Sequence, residues 1–172
     1  AIELDPNFSM AYFNLGNIFQ RHGELQKAEV FIRKAIELDP NFSMAYFNLG
    51  NIFQRHGELQ KAEVFIRKAI ELDPNFSMAY FNLGNIRKDL GKTNESLNSF
   101  IKVIEINPQY VYTYNAITEL LKYADPSPFE ATKLKKILNL LLDKNDVNHR
   151  ELFRAFNFLY KKELINSLEP VS

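Results

Sequence analysis

The chain has 172 residues, 46% apolar and 24% charged, with 21 basic and 21 acidic side chains that leave no formal net charge. That balance excludes a disordered polar chain, which lacks aromatics and carries excess charge, and argues against nucleic-acid binding, which needs surplus Lys and Arg to displace counterions. No apolar run approaches the roughly 20 residues of a membrane span, and the lack of cysteine removes disulfides, thiolate zinc sites and cysteine nucleophiles together.

In chain order, Ala1–Asp5 reads as the tail of a helix that starts upstream, so the sequence is expected to be a piece of something longer. No signal peptide is visible, and a cysteine-free chain of this kind is expected in the cytoplasm. From there one pattern recurs with a period of 34 residues. Ala1–Lys34 and Ala35–Lys68 are identical at every position, and Ala69–Ile86 repeats the first half again. From Arg87 the sequence drifts, although Gly91, Phe100, Pro108 and Tyr114 keep the phase. Identity of this kind indicates recent amplification in preference to design, because the copied block ends inside a helix and not at a turn.

Each unit predicts two helices. In the first, Ala11, Tyr12, Leu15, Ile18 and Phe19 fall at helical spacing and Gly23 closes the segment. In the second, Leu25, Ala28, Phe31, Ile32, Ala35, Ile36 and Leu38 form the stripe and Pro40 ends it. Gly16 and Ala28 sit where the two helices must approach closely. Neither helix hides its stripe alone, so each hairpin needs neighbours.

Tyr12, Leu15-Gly16, Phe19, Gly23, Ala28, Ile32, Ala35 and Pro40, recurring 34 residues later, resemble the tetratricopeptide repeat family. The third unit departs at Arg87, Ser96 and Val103, and the fourth keeps Pro108, Tyr114 and Ile117. Within the family, DPNFSMAYFNLGN is most similar to repeats of O-linked N-acetylglucosamine transferases and related bacterial proteins. The resemblance implies an all-α, right-handed solenoid of helix-turn-helix hairpins over residues 1–124.

Residues 125–172 differ in kind. Ala124–Pro128 reads as a turn, and Ser127-Pro128-Phe129-Glu130 as a capping box opening a helix from Pro128 to Leu142. After a polar break, Asn148 with Glu151 reads as a second box opening a helix to Asn166, with Leu152, Phe153, Phe156, Leu159 and Tyr160 inside. This pair of helices is expected to cap the array, with Phe153 as its anchor, and Glu169–Ser172 to fray.

No catalytic apparatus, metal or cofactor is expected. His22 and His56 recur one repeat apart, too far to share an ion, and suit the helix ends before Gly23 and Gly57. Glu37 and Asp39 recur once per unit and are expected to be solvated surface. The residues with binding chemistry lie on the first helix of each hairpin, which the resemblance places on the concave side. They are Met10, Phe13, Asn14, Asn17, Gln20 and Arg21, then Met44, Phe47, Asn48, Asn51, Gln54 and Arg55. The third set is Met78, Phe81, Asn82, Asn85, Lys88 and Asp89.

A carboxamide both donates and accepts, so a column of asparagines suits an extended peptide backbone whatever its side chains. The resemblance implies such a ladder at Asn14, Asn48 and Asn82, with Met and an exposed Phe beside it for apolar contact. The bland alternative is that the asparagines bond between neighbouring helices and fix the stacking. A carboxylate clamp of the co-chaperone kind is set aside. Its basic positions fall on Phe13, Met78 and Asn82, and only Asn17 and Asn48 fit. The expected function is a protein-interaction scaffold for a peptide or protein segment. Two alternatives are self-association through an N-terminal edge left uncovered at Tyr12, Leu15 and Phe19, and a substrate-presenting arm of a transferase whose catalytic domain lies elsewhere.

Overall fold

The computed structural model describes residues 6–123, 125, 129–142 and 149–168, which are helical with no strand among them. They fall into two compact units, 1–91 and 92–172. The first unit holds α1 (Pro6–Arg21), α2 (Leu25–Leu38), α3 (Ser43–Arg55), α4 (Leu59–Leu72) and α5 (Ser77–Asp89). α1 pairs with α2 and α3 with α4 as hairpins, while α2 packs on α3 and α4 on α5. The result is an all-α stack whose core runs through Ile32, Ala35, Leu49, Ile52, Ile66, Ala69 and Ile86, all fully buried.

Two backbone devices recur. Gly23 has φ of +79°, the left-handed region that a side chain would make costly. Its N–H donates to the Gln20 carbonyl at 3.2 Å, and the Glu24 N–H to the Phe19 carbonyl at 3.0 Å. These are the two bonds of a Schellman stop, and Gly57 and Gly91 take the same conformation, with φ of +77° and +73°.

The second device is close approach. A Cβ on Gly16 would lie 2.6 Å from the Ile32 Cδ1 and 3.3 Å from the Ala28 carbonyl oxygen. Gly50 stands in the same relation to Ile66 and Ala62, at 2.7 and 3.3 Å. The repeated glycine therefore sets the distance between the two helices of each hairpin.

Between hairpins the turn is fixed by aspartate. The Asp39 Oδ1 accepts from the Asn41 N–H at 2.9 Å, and the Asp73 Oδ1 from the Asn75 N–H at 3.0 Å. Asp39, expected to be plain solvated surface, is half-buried and holds the turn around Pro40. Glu37 is exposed and pairs with Lys34 at 2.7 Å.

The second unit holds α6 (Thr93–Ile106), α7 (Val111–Tyr123), α8 (Ala131–Leu142), a 3-10 turn (His149–Leu152) and α9 (Phe153–Leu168). α6 packs on α7, α7 meets the 3-10 turn and α9, and α8 packs on α9. Phe100, Ile117, Leu121, Leu134, Leu138, Leu141 and Leu152 are fully buried here. The Tyr114 hydroxyl donates to the Pro108 carbonyl at 2.8 Å, tying α7 to the turn before it.

Three expectations are corrected here. α8 begins at Ala131 rather than Pro128, with the Leu134 N–H donating to the Glu130 carbonyl at 2.9 Å. The last helix opens through a 3-10 turn, so its α-helical part starts at Phe153. A 3-10 turn advances by about 3.0 residues per turn against 3.6, which shifts the phase of the helix C-terminal to it. As a result Phe153 is 71% exposed and Tyr160 is exposed as well, while Leu152, Ala155 and Leu159 turn inward. Phe153 is therefore not an anchor. Ser127, Pro128 and Asn148 of the expected capping boxes, with 1–5 and 169–172, lie outside the described residues.

Candidate functional site

The repeated face is built from positions i, i+4, i+7 and i+11 of the first helix in each hairpin, which share one side of an α-helix. On α1 these are Met10, Asn14, Asn17 and Arg21; on α3 they are Met44, Asn48, Asn51 and Arg55. α5 carries Met78, Asn82 and Asn85 in the same register, and then Asp89. The three methionines are exposed to 48%, 49% and 50%, so all three present the same surface.

The asparagines meet across helices. The Asn48 Nδ2 donates to the Asn17 Oδ1 at 2.5 Å, and the Asn82 Nδ2 to the Asn51 Oδ1 at 2.7 Å. Both bonds run in the same direction, from each helix to the one before it. Asn14, on the first helix of the stack, is exposed; Asn85 is half-buried. The register position one repeat after Asn82 is Ala116, where the amide pattern ends.

Pairing does not exhaust these groups. A carboxamide offers two N–H donors and an oxygen with two lone pairs. Asn48 therefore keeps its oxygen and one N–H, and Asn17 keeps both N–H donors. The interhelix bond fixes the orientation of the amides while leaving capacity toward solvent.

The phenylalanines are elsewhere. Phe13 and Phe47 were expected to be exposed beside the amides, and both are buried. Each is covered by an aromatic from the next interhairpin turn: Phe42 lies 4.8 Å from Phe13, and Phe76 lies 4.8 Å from Phe47, ring centroid to centroid. These tilted pairs are stacking joints. Phe81 is half-buried. The repeated face is thus methionine and amide, without a stripe of exposed phenylalanines.

Charge enters at the end of the face. Arg21 and Arg55 are exposed, and the Arg55 Nη1 donates to the Gln20 carbonyl at 3.1 Å. On the opposite flank, Phe19 and Phe53 stack on Phe31 and Phe65, at 5.1 and 5.2 Å between centroids. The third unit has Arg87 at that position, and its Nε lies 2.9 Å from the Glu63 Oε1 in a largely buried ion pair. The substitution replaces a stack within a hairpin by a charge pair to the helix before it, joining α5 to α4.

His22 and His56 are exposed at their helix ends. Among the described residues no three His, Asp or Glu side chains gather to hold a metal ion, and no helix is long and apolar enough to cross a membrane.

Comparison with known proteins finds the same 34-residue unit. A tetratricopeptide repeat model matches residues 9–42 and 43–76, and a second model of that description matches 65–98, together over half of the chain. No curated protein matches it in sequence. Among solved structures, the Arabidopsis OM64 TPR domain is 25% identical with a TM-score of 0.67, covering 69% of this chain and 98% of that one. The first TPR of Spaghetti (RPAP3), solved bound to the HSP90 peptide SRMEEVD, is 22% identical with a TM-score of 0.67, over 70% of this chain and 95% of that one. A mutant O-GlcNAc transferase of Thermobaculum terrenum is 23% identical with a TM-score of 0.64, over 78% of this chain but 26% of that one. The last two likenesses bear on the fold alone.

Proposed function

The chain belongs to the tetratricopeptide repeat family, and from that premise we propose that it is a protein-interaction scaffold taking an extended peptide segment along the faces of α1, α3 and α5. One observation carries the reading. Three equally exposed methionines run beside amides that are held in one orientation by their mutual bonds and still have hydrogen-bonding capacity to spare. The thioethers supply adaptable apolar contact, and the amides address a backbone without regard to side chains. A solved TPR domain of like fold carries a bound peptide, which agrees with this use of the face. The groove here is amide-rich and apolar, so a ligand held chiefly through charge fits it poorly.

The test is a pool of random peptides captured on the immobilised full chain, compared with the Asn48→Ala/Asn82→Ala variant. Capture should fall severalfold in the variant while its far-ultraviolet circular dichroism is unchanged. Equal capture by a variant that melts several degrees lower would sink the reading and leave the asparagines as stacking devices.

A second reading rests on α1. Leu15 is 42% exposed and Ile18 41%, whereas Leu49 and Ile52 of the same sequence in α3 are fully buried. Such an edge suits pairing with a second copy. Light scattering across a dilution series reads it: a dimer that Leu15→Lys dissolves supports self-association through α1, and a monomer throughout removes it.

A further inference from the structure

The groove reading leaves the ligand's own pattern open, and this inference rests on that reading. The three subsites are chemically identical: Met10 with Asn14 and Asn17, Met44 with Asn48 and Asn51, Met78 with Asn82 and Asn85. The Asn17–Asn48 and Asn51–Asn82 bonds place α1 beside α3 and α3 beside α5. Helices packed side by side lie about 8–10 Å apart, so the same subsite recurs at about that interval.

Three ligand conformations can be laid against this ruler. A β-strand rises about 3.3 Å per residue and turns its side chains over every second residue. It covers the interval in about three residues, an odd number, so a side chain facing one methionine is followed by one facing away from the next. An α-helix presents a like face at about seven residues and roughly 10.5 Å, but its backbone groups are already bonded internally. The spare amides of the asparagines would then meet nothing. A polyproline II segment has three residues per turn and rises about 3.1 Å each, or roughly 9 Å per turn, with no internal hydrogen bonds. Every third side chain meets the next methionine, and its free carbonyls meet the next asparagine.

We propose that the ligand class is a polyproline II peptide with an apolar residue at every third position, one triplet per repeat. The polarity of the Asn–Asn bonds adds a direction. Both bonds point from each helix to the one before it, so the two ends of the ladder differ and the peptide binds in one orientation. Because the subsites are identical, peptides of one, two and three triplets bind with stepwise increasing affinity, and a fourth triplet adds little.

The experiment is fluorescence anisotropy with the full chain and two labelled peptides. One has four Leu-Pro-Ser triplets; the other has the same residues reordered so that the leucines fall two and four apart. The triplet peptide should bind at least about tenfold more tightly, a difference of about 1.4 kcal/mol. Met44→Ser should narrow that gap. Equal binding of both peptides, lost in Asn48→Ala/Asn82→Ala, overturns the period and leaves the groove. If neither binds while peptides from the random pool do, the period also falls and the groove stands. If no peptide binds at all, both readings fall.

Discussion

The sixteen residues of α1, PNFSMAYFNLGNIFQR, recur as residues 40–55, and the protein uses the two copies differently. α1 is helical from Pro6, whereas Pro40–Phe42 form a turn and α3 starts at Ser43. Leu15 is 42% exposed and Leu49 fully buried; Phe8 is exposed, while Phe42 is half-buried against Phe13. Nothing in the residues themselves differs. α3 has α2 on one side and α4 on the other, and α1 has only α2 in its own hairpin, with a lighter contact to α3. In a stack, burial belongs to the interface and not to the residue. What stays constant between the two helices is what lies inside a hairpin: Gly16 and Gly50 meet Ile32 and Ile66 at distances equal to within 0.1 Å.

The comparison breaks most sharply at leucine. Leu49→Ala removes a fully buried side chain from a packed interface and should cost about 2–5 kcal/mol. Leu15→Ala removes a side chain already partly in water, and should cost about 1 kcal/mol or less. Urea melts of the two single variants, tracked by circular dichroism, decide it. Equal costs would mean that α1 is covered in solution, which self-association through that edge would produce.

Much of the fold is legible in the sequence, for a physical reason. The period, the Gly16–Ala28 approach, the stops at Gly23, Gly57 and Gly91 and the register of methionine and asparagine all depend on contacts within a hairpin or one helix face. Spacing reports such contacts directly. The misreadings share a cause too. Phe13 lies on the amide side of its helix, off the stripe of Tyr12, Leu15 and Phe19, and the ring that buries it, Phe42, comes from the next turn. Phe153 reads as interior when the last helix is phased from Asn148. The 3-10 turn through Leu152 rotates it outward. The Asn17–Asn48 bond joins residues 31 apart, so periodicity places each amide on the right face without showing that they meet.

The smallest expected effect sharpens the comparison further, because it sets identical asparagines in unequal surroundings. Asn82 donates to Asn51, and truncating it leaves the Asn51 oxygen to find water. Asn82→Ala should therefore cost about 0.5–1.5 kcal/mol. Asn14 occupies the same position on α1 and is exposed, so Asn14→Ala should lie within about 0.5 kcal/mol of the parent protein. Denaturant midpoints at constant slope measure both. The ligand-binding consequences run the other way if the groove spans all three helices. Each substitution then removes one amide from the same ladder, and their effects on peptide affinity should be similar although their effects on stability are not. Separation of the two readouts is what distinguishes an amide that orients a ligand from one that only joins helices. If affinity instead tracks stability from one variant to the other, the ladder's task is to hold α1, α3 and α5 in register.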